Sequence, residues 1–177
     1  MAKRVDSGRL EAEWIIEKYH GDFKSREEAI KKGAEPYEVI VKRKNLFLAE
    51  GIQLLLQLAI GTSGLTPWNA TNAHIGVGDG TADASRDQTG LQGTNKYYKG
   101  MDSGYPTVEE DTSVSPATYR AVFQATFGGD EANFSWNELT VANGPGDTYV
   151  NWNRLVGNFG TKSSGSTWIA QLRLRIV

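Results

Sequence analysis

Clustered glycines let backbone amides close around a phosphate, so Gly76-Val-Gly-Asp-Gly80 is the run that most invites a chemical reading. A dinucleotide fingerprint needs a third glycine at fixed spacing where a helix opens, and a phosphate loop needs a Lys-Ser/Thr pair. Neither follows here, and the run reads as a turn that ends a strand. Asp79, Asp83 and Asp87 stand four apart, whereas a calcium loop takes alternating ligands and a closing glutamate. Asp87 or Ser85 therefore reads as the cap of a short helical turn. His20 and His74 have no ligand partner at close spacing, so neither a metal pair nor an acid–base pair is supported. Glu131 and Glu138 would suit a glycosidase pair, but a separation of seven puts them on opposite faces of a strand. No Gly-x-Ser-x-Gly elbow is present, and a chain without cysteine has neither thiolate sites nor disulfides. The expectation is a non-enzymatic protein with no catalytic residue, no cofactor and no metal.

The aromatic residues carry the remaining chemistry. Trp136 and Trp168 fit inward positions of alternating strands and read as core. Trp68 and Trp152 read as candidates to face a partner, or to stack on a sugar ring if they line an open groove with Tyr97 and Tyr98. Trp14, Ile15 and Ile16 sit among acidic residues and are also partner-contact candidates.

The elements that must position these residues divide at a shift in composition. Residues 1–50 are dense in charge of both signs, and residues 61–177 are rich in Gly, Thr, Asn and aromatics. The stretch Leu10–Ile16 reads either as a strand or helix tucked against the main body or as an arm docking on a neighbouring subunit. We take residues 1–44 as an N-terminal arm, extended or helical, and residues 45–177 as a helix plus a β-sandwich domain. Ser25-Arg-Glu-Glu28 is a capping-box pattern and predicts a short helix over 26–32 that ends at Gly33. From Tyr37 to Ile60 the pattern is helical, with Leu48, Ile52, Leu55, Leu56 and Ala59 as an apolar stripe and Gly61 as the C-terminal cap.

Beyond Gly61 the spacing predicts strands. These are 73–77, 118–127, 132–141, 149–156 and a terminal strand over 167–177, separated by Gly- and Asn-rich turns. The terminal strand places Trp168, Ala170, Leu172, Leu174 and Ile176 on one face and Gln171, Arg173 and Arg175 on the other. The fold class expected is mainly β: an antiparallel β-sandwich with one packed helix and the N-terminal arm.

The net charge is −2 and the pI about 5.7, which gives no global pull toward nucleic acid or an anionic membrane. Met1-Ala-Lys-Arg opens without an apolar signal region, and Ile52–Ile60 is too short to cross a bilayer. Hydrophobic residues make up 39%, enough for a core, with part of the chain left for a partner surface.

An ordered set of segments resembles structural proteins of tailed bacteriophages. It comprises Asn45-Leu-Phe-Leu-Ala-Glu-Gly-Ile-Gln-Leu-Leu-Leu56, Ala73-His-Ile-Gly-Val-Gly-Asp-Gly-Thr81 and Thr89-Gly-Leu-Gln92, then Tyr119-Arg-Ala-Val-Phe123 and Ala132-Asn-Phe-Ser-Trp-Asn-Glu138, and finally Asn153-Arg154 and Gly160–Trp168. The resemblance covers roughly residues 45–177 and is similar to collar-fibre and tail-fibre attachment domains and to other virion proteins. It implies a scaffold without an active site, located in the virion and assembled in the host cytoplasm. It further implies major capsid, portal or tail proteins as partners, and a homo-oligomer, with trimers common among such parts. The expectation is a capsid decoration or cement protein. A collar or tail-fibre adaptor is the alternative, and a carbohydrate-binding β-sandwich module is the rival from another class.

Overall fold

The computed structural model describes residues 8–176. In chain order the elements are β1 (Leu10–His20), α1 (Arg26–Lys31), β2 (Glu38–Lys42), β3 (Leu46–Phe47), α2 (Ala49–Ala59) and β4 (His74–Gly78). There follow β5 (Lys96–Gly100), β6 (Thr107–Asp111), β7 (Thr118–Phe127), β8 (Glu138–Ala142), β9 (Asn153–Val156) and β10 (Ser166–Ile176). The ten strands form two antiparallel five-stranded sheets, in the orders β2-β1-β10-β7-β6 and β3-β9-β8-β4-β5. Their inner faces share one core, which makes the fold the antiparallel β-sandwich expected from the alternating strands. Trp14, Ile16, Phe123, Phe127, Trp168 and Leu172 enter it from the first sheet, and Ile75, Val77, Leu139, Val141 and Leu155 from the second. Phe127, Trp136 and Trp168 meet edge to face with ring centroids 4.8 and 4.9 Å apart.

Of the two readings of Leu10–Ile16, the strand tucked against the main body is the one the structure shows, and over these residues the arm is corrected. Leu10–His20 pairs with β10 along its whole length, from Leu10 opposite Ile176 to His20 opposite Ser166. The two halves of the chain therefore share one sheet, and the composition shift marks no structural boundary in the described residues. The physical reason is visible in the side chains. Ala12, Trp14 and Ile16 alternate inward, and Glu11, Glu13 and Glu17 alternate outward to meet cations of β10 and its neighbours. Charge on every second residue is compatible with a strand that buries only one face. The first seven residues of the proposed arm, and Val177 of the predicted last strand, lie outside the described residues.

The helix expected over 37–60 is half as long. Its first part is β2 and β3, because Val39-Ile40-Val41 is β-branched throughout and pairs with Ile15 and its neighbours on β1. The helix α2 starts only at Ala49 and ends at Ala59, with Ile60 as its C-cap before Gly61 at φ +75°. Its buried side is also one position away from the expected stripe. Leu48, Gly51 and Leu54 are buried and Leu55 and Leu58 pack on the core, whereas Leu56 and Ile60 are exposed. Gly51 is required there: a Cβ would stand 2.5 Å from the backbone of Trp152.

The cap at Ser25 forms as expected, but Glu28 reaches back one residue further, to the amide before the cap. The hydroxyl of Ser25 accepts from the amide of Glu28 at 3.2 Å, and the carboxylate of Glu28 accepts from the amide of Lys24 at 2.7 Å. The strands expected over 132–141 and 149–156 are shorter, beginning at Glu138 and Asn153. Phe134 and Trp136 sit in the preceding loop, where the indole of Trp136 donates to the Ala132 carbonyl at 3.0 Å. No described helix is long and apolar enough to cross a membrane.

Candidate functional site

The carboxylates, histidines and glycines singled out above are not assembled into one centre. Glu138 lies on the outer face of the second sheet, fully buried against Arg154 at 2.7 Å. It also accepts from the amides of Gly80, Gln92 and Gly93 at 3.2, 3.0 and 2.7 Å. Arg154 reaches on to the Asp83 carbonyl and the Gln88 side chain. The loop between β4 and β5 is thereby folded down over the sheet. This explains the glycine run: a Cβ on Gly78 or Gly80 would come within 2.5 Å of the Glu138 carboxylate. Glu131 is held elsewhere, by the Gly128 amide, Tyr97 and Lys99.

Asp79 accepts from the amide and side chain of Asn95 at 3.0 and 2.6 Å, and Asp87 from Ser85. Their carboxyls are held below the usual range, chiefly by the hydrogen bonds from Asn95 and Ser85 respectively. His20 stacks on Tyr37 with centroids 4.3 Å apart, and His74 contacts the Asn72 carbonyl at 2.8 Å. Among the described residues no three His, Cys, Asp or Glu side chains are grouped to hold a metal.

Four of the partner-contact candidates, Trp14, Ile16, Trp68 and Trp152, are buried within the chain itself. Trp14 and Ile16 are completely buried in the chain's own core, because they occupy the inward positions of β1. Ile15 points outward and stays half-exposed. Trp68 and Trp152 stack on each other at 4.5 Å under the rim of the core, and Phe123 meets Trp152 edge-on at 5.8 Å. Tyr98 is bonded to Asp147, and Tyr97 to Glu131 at 3.0 Å. Trp68 and Trp152 are thus buried against each other and do not offer open ring faces to a sugar.

The feature that could bind something lies at the end of the first sheet, where β1 begins, β10 ends, β6 ends and β7 begins. A cleft of about 760 Å³ opens there. Five arginines, Arg9, Arg43, Arg120, Arg173 and Arg175, line it with only three carboxylates, Glu11, Glu13 and Asp111. Strand register builds the arrangement. Glu11, Arg175, Arg120 and Glu109 stand opposite one another in a row across β1, β10, β7 and β6.

Two guanidiniums therefore sit side by side in the middle of that row, which is unfavourable unless an anion lies between them. Asp111 supplies one, 2.8 Å from Arg175 and 3.6 Å from Arg120, and Ser113 donates to it at 2.5 Å. Those contacts, Ser113 first and then Arg175, hold the Asp111 carboxyl well below the usual range. Glu11 is lowered by Arg175 and Arg9, and Arg175 is raised by Asp111 and Glu11.

The next row is less satisfied. Glu13 takes Arg43 at 2.8 Å and Arg173 only at 3.8 Å, and the Arg43 side chain is 80% exposed. A guanidinium fork with unused donors suits a carboxylate from outside.

The alternation of the last strand puts Arg173 and Arg175 on one face, but the sequence does not assemble the cleft. Its residues come from widely separated stretches that only the strand order brings together. The period-two glutamates of Leu10–His20 were the missed signal. Comparisons with protein-family models, with curated proteins and with solved structures return no match.

Proposed function

We propose that this chain is a non-enzymatic structural subunit of a tailed-phage particle, a decoration or cement protein that takes an acidic segment of a neighbouring virion protein into the arginine-lined cleft. The cleft is the observation that carries the docking mode. Its centre holds paired guanidiniums preorganised by strand register, and its second row leaves arginine donors free. The phage assignment rests on the ordered motifs of residues 45–177. Leu10–His20 is a sheet strand, so the N-terminal segment gives no ground for choosing a decoration protein over a collar adaptor. A collar or tail-fibre adaptor docking through the same cleft is the alternative.

The test is attachment. Particles purified through a density gradient should carry the chain in stoichiometric amount by mass spectrometry. The double variant Arg43→Glu, Arg173→Glu should fold normally yet fail to attach. A chain absent from intact particles refutes the virion reading, and normal attachment of the double variant refutes the cleft.

A further inference from the structure

The first sheet ends at β2, and its outer edge carries no strand among the described residues. Such an edge is normally blunted by proline, a bulge or repulsive charge. Here β2 pairs with β1 through five consecutive residues without a bulge, and Val39 and Val41 are 49% and 46% exposed. The sequence Glu38-Val-Ile-Val-Lys42 is complementary to itself when reversed. We infer that two copies of this chain pair antiparallel through β2, about a two-fold axis at Ile40, to give one continuous ten-stranded sheet.

In that register Glu38 stands opposite the partner's Lys42, Val39 opposite the partner's Val41, and Ile40 opposite the partner's Ile40. Both ends of the ladder then carry an ion pair, because the symmetry repeats it. Directly opposed residues share a face, so the match extends into the rows already present. On the inner face Glu38, which holds Lys18 at 2.6 Å, gains a second cation on its free side. On the outer face the valines of both copies form one apolar cluster, flanked by each copy's Ile15.

The edge strand β3 is only two residues long, and the edges at β6 and β5 do not fit themselves in this way. Thr107-Val-Glu-Glu-Asp111 on β6 would set Glu109 against its own copy. On β5, Lys96 and Lys99 are already held by Asp147 and Glu131. Proline at position 36 limits the ladder to a short one, so the dimer is a reversible one. This inference does not depend on the particle assignment.

Sedimentation equilibrium over a micromolar to millimolar series should show an association to twice the 19.4 kDa chain mass. Lys42→Glu places glutamate against Glu38 at both ends and should raise the dissociation constant by about tenfold or more, with an unchanged circular dichroism spectrum. The register is tested separately in a chain that has no cysteine of its own. A mixture of Val39→Cys and Val41→Cys chains should form a disulfide-linked dimer under mild oxidation, because opposed Cα atoms stand about 4.5–5.5 Å apart. Either variant alone should not, since its own copy is a diagonal neighbour about 7–8 Å away. A chain that remains at 19.4 kDa throughout, an oligomer indifferent to Lys42→Glu, or equal cross-linking by single variants overturns the proposal.

Discussion

The outer faces of the two sheets carry the same chemistry and put it to different use. On the second sheet Glu138 and Arg154 are both fully buried, and the loop between β4 and β5 covers them. On the first sheet Glu11 and Arg175 are each 27% exposed and nothing among the described residues covers them. Covering decides the role. Under the loop, both oxygens of Glu138 are saturated by amides and a guanidinium, so the pair serves the fold. In the open, arginine donors outnumber the carboxylates that line the cleft, so the same residue types remain able to meet a partner.

The buried pair offers the sharpest way to break this comparison. Glu138→Ala should cost about 3–5 kcal/mol in urea unfolding, because it leaves Arg154 buried without its counter-ion. It also strips three loop amides of their acceptor, so hydrogen exchange over 79–95 should accelerate. A loss below about 1 kcal/mol would mean that the pair is hydrated and the contrast with the open face false. The double variant Glu138→Leu, Arg154→Met should cost clearly less than the two single losses added together, since no unpaired charge is then buried.

Gly51→Ala separates packing from electrostatics. Its new Cβ would meet the Trp152 backbone at 2.5 Å, which neither element can yield cheaply. The expected loss is about 1–3 kcal/mol, with α2 displaced and the open face of the first sheet unaffected. Unchanged attachment to particles would confirm that the two regions are energetically separate. Weakened attachment would couple them.

What the sequence showed and hid follows the same division. The strands β7 and β10 were legible because a single alternation runs through each for ten or more residues. The cap at Ser25 and the left-handed Gly61 were legible because both are local. The strand β1 was obscured by its own outward glutamates, whose partners Arg173 and Arg175 lie at the far end of the chain. The Glu138–Arg154 pair was hidden in the same way. It joins residues on neighbouring strands, and the loop that buries it looks like a solvated turn. The displaced helix stripe arose because Gly51, with no side chain, marks the contact face of α2.

On the open face a single cut should affect stability less. Arg175→Gln removes a partly exposed ion pair to Glu11 and one to the buried Asp111 carboxylate, which keeps Ser113 and Arg120, so it should cost clearly less than Glu138→Ala while reducing attachment to particles strongly. A larger loss, approaching that of Glu138→Ala, would show that the row across the first sheet is structural rather than poised for a partner.

The smallest effect expected is in the response to acid, and its sign separates the cleft carboxylates from the two that burial raises. Asp111 and Glu11 have carboxyls lowered in the folded chain from ordinary values of 3.8 and 4.5. The unfolded chain therefore takes up their protons first as the pH falls. Their stabilisation is complete above the ordinary values and is lost progressively as the pH drops through the folded ones. Asp102 and Glu50 are raised instead, chiefly by burial, so the folded chain binds their protons first and gains stability as the pH falls toward the carboxylate range. Stability should thus rise slightly on mild acidification and then fall. Asp102→Asn should remove part of the rise, and Arg175→Gln should flatten the fall, because it takes away a principal cause of the depression at both Asp111 and Glu11. Melting temperatures across the acid range check both. A fall as steep in Arg175→Gln as in the unmodified chain would place the acid-sensitive carboxylates away from the cleft.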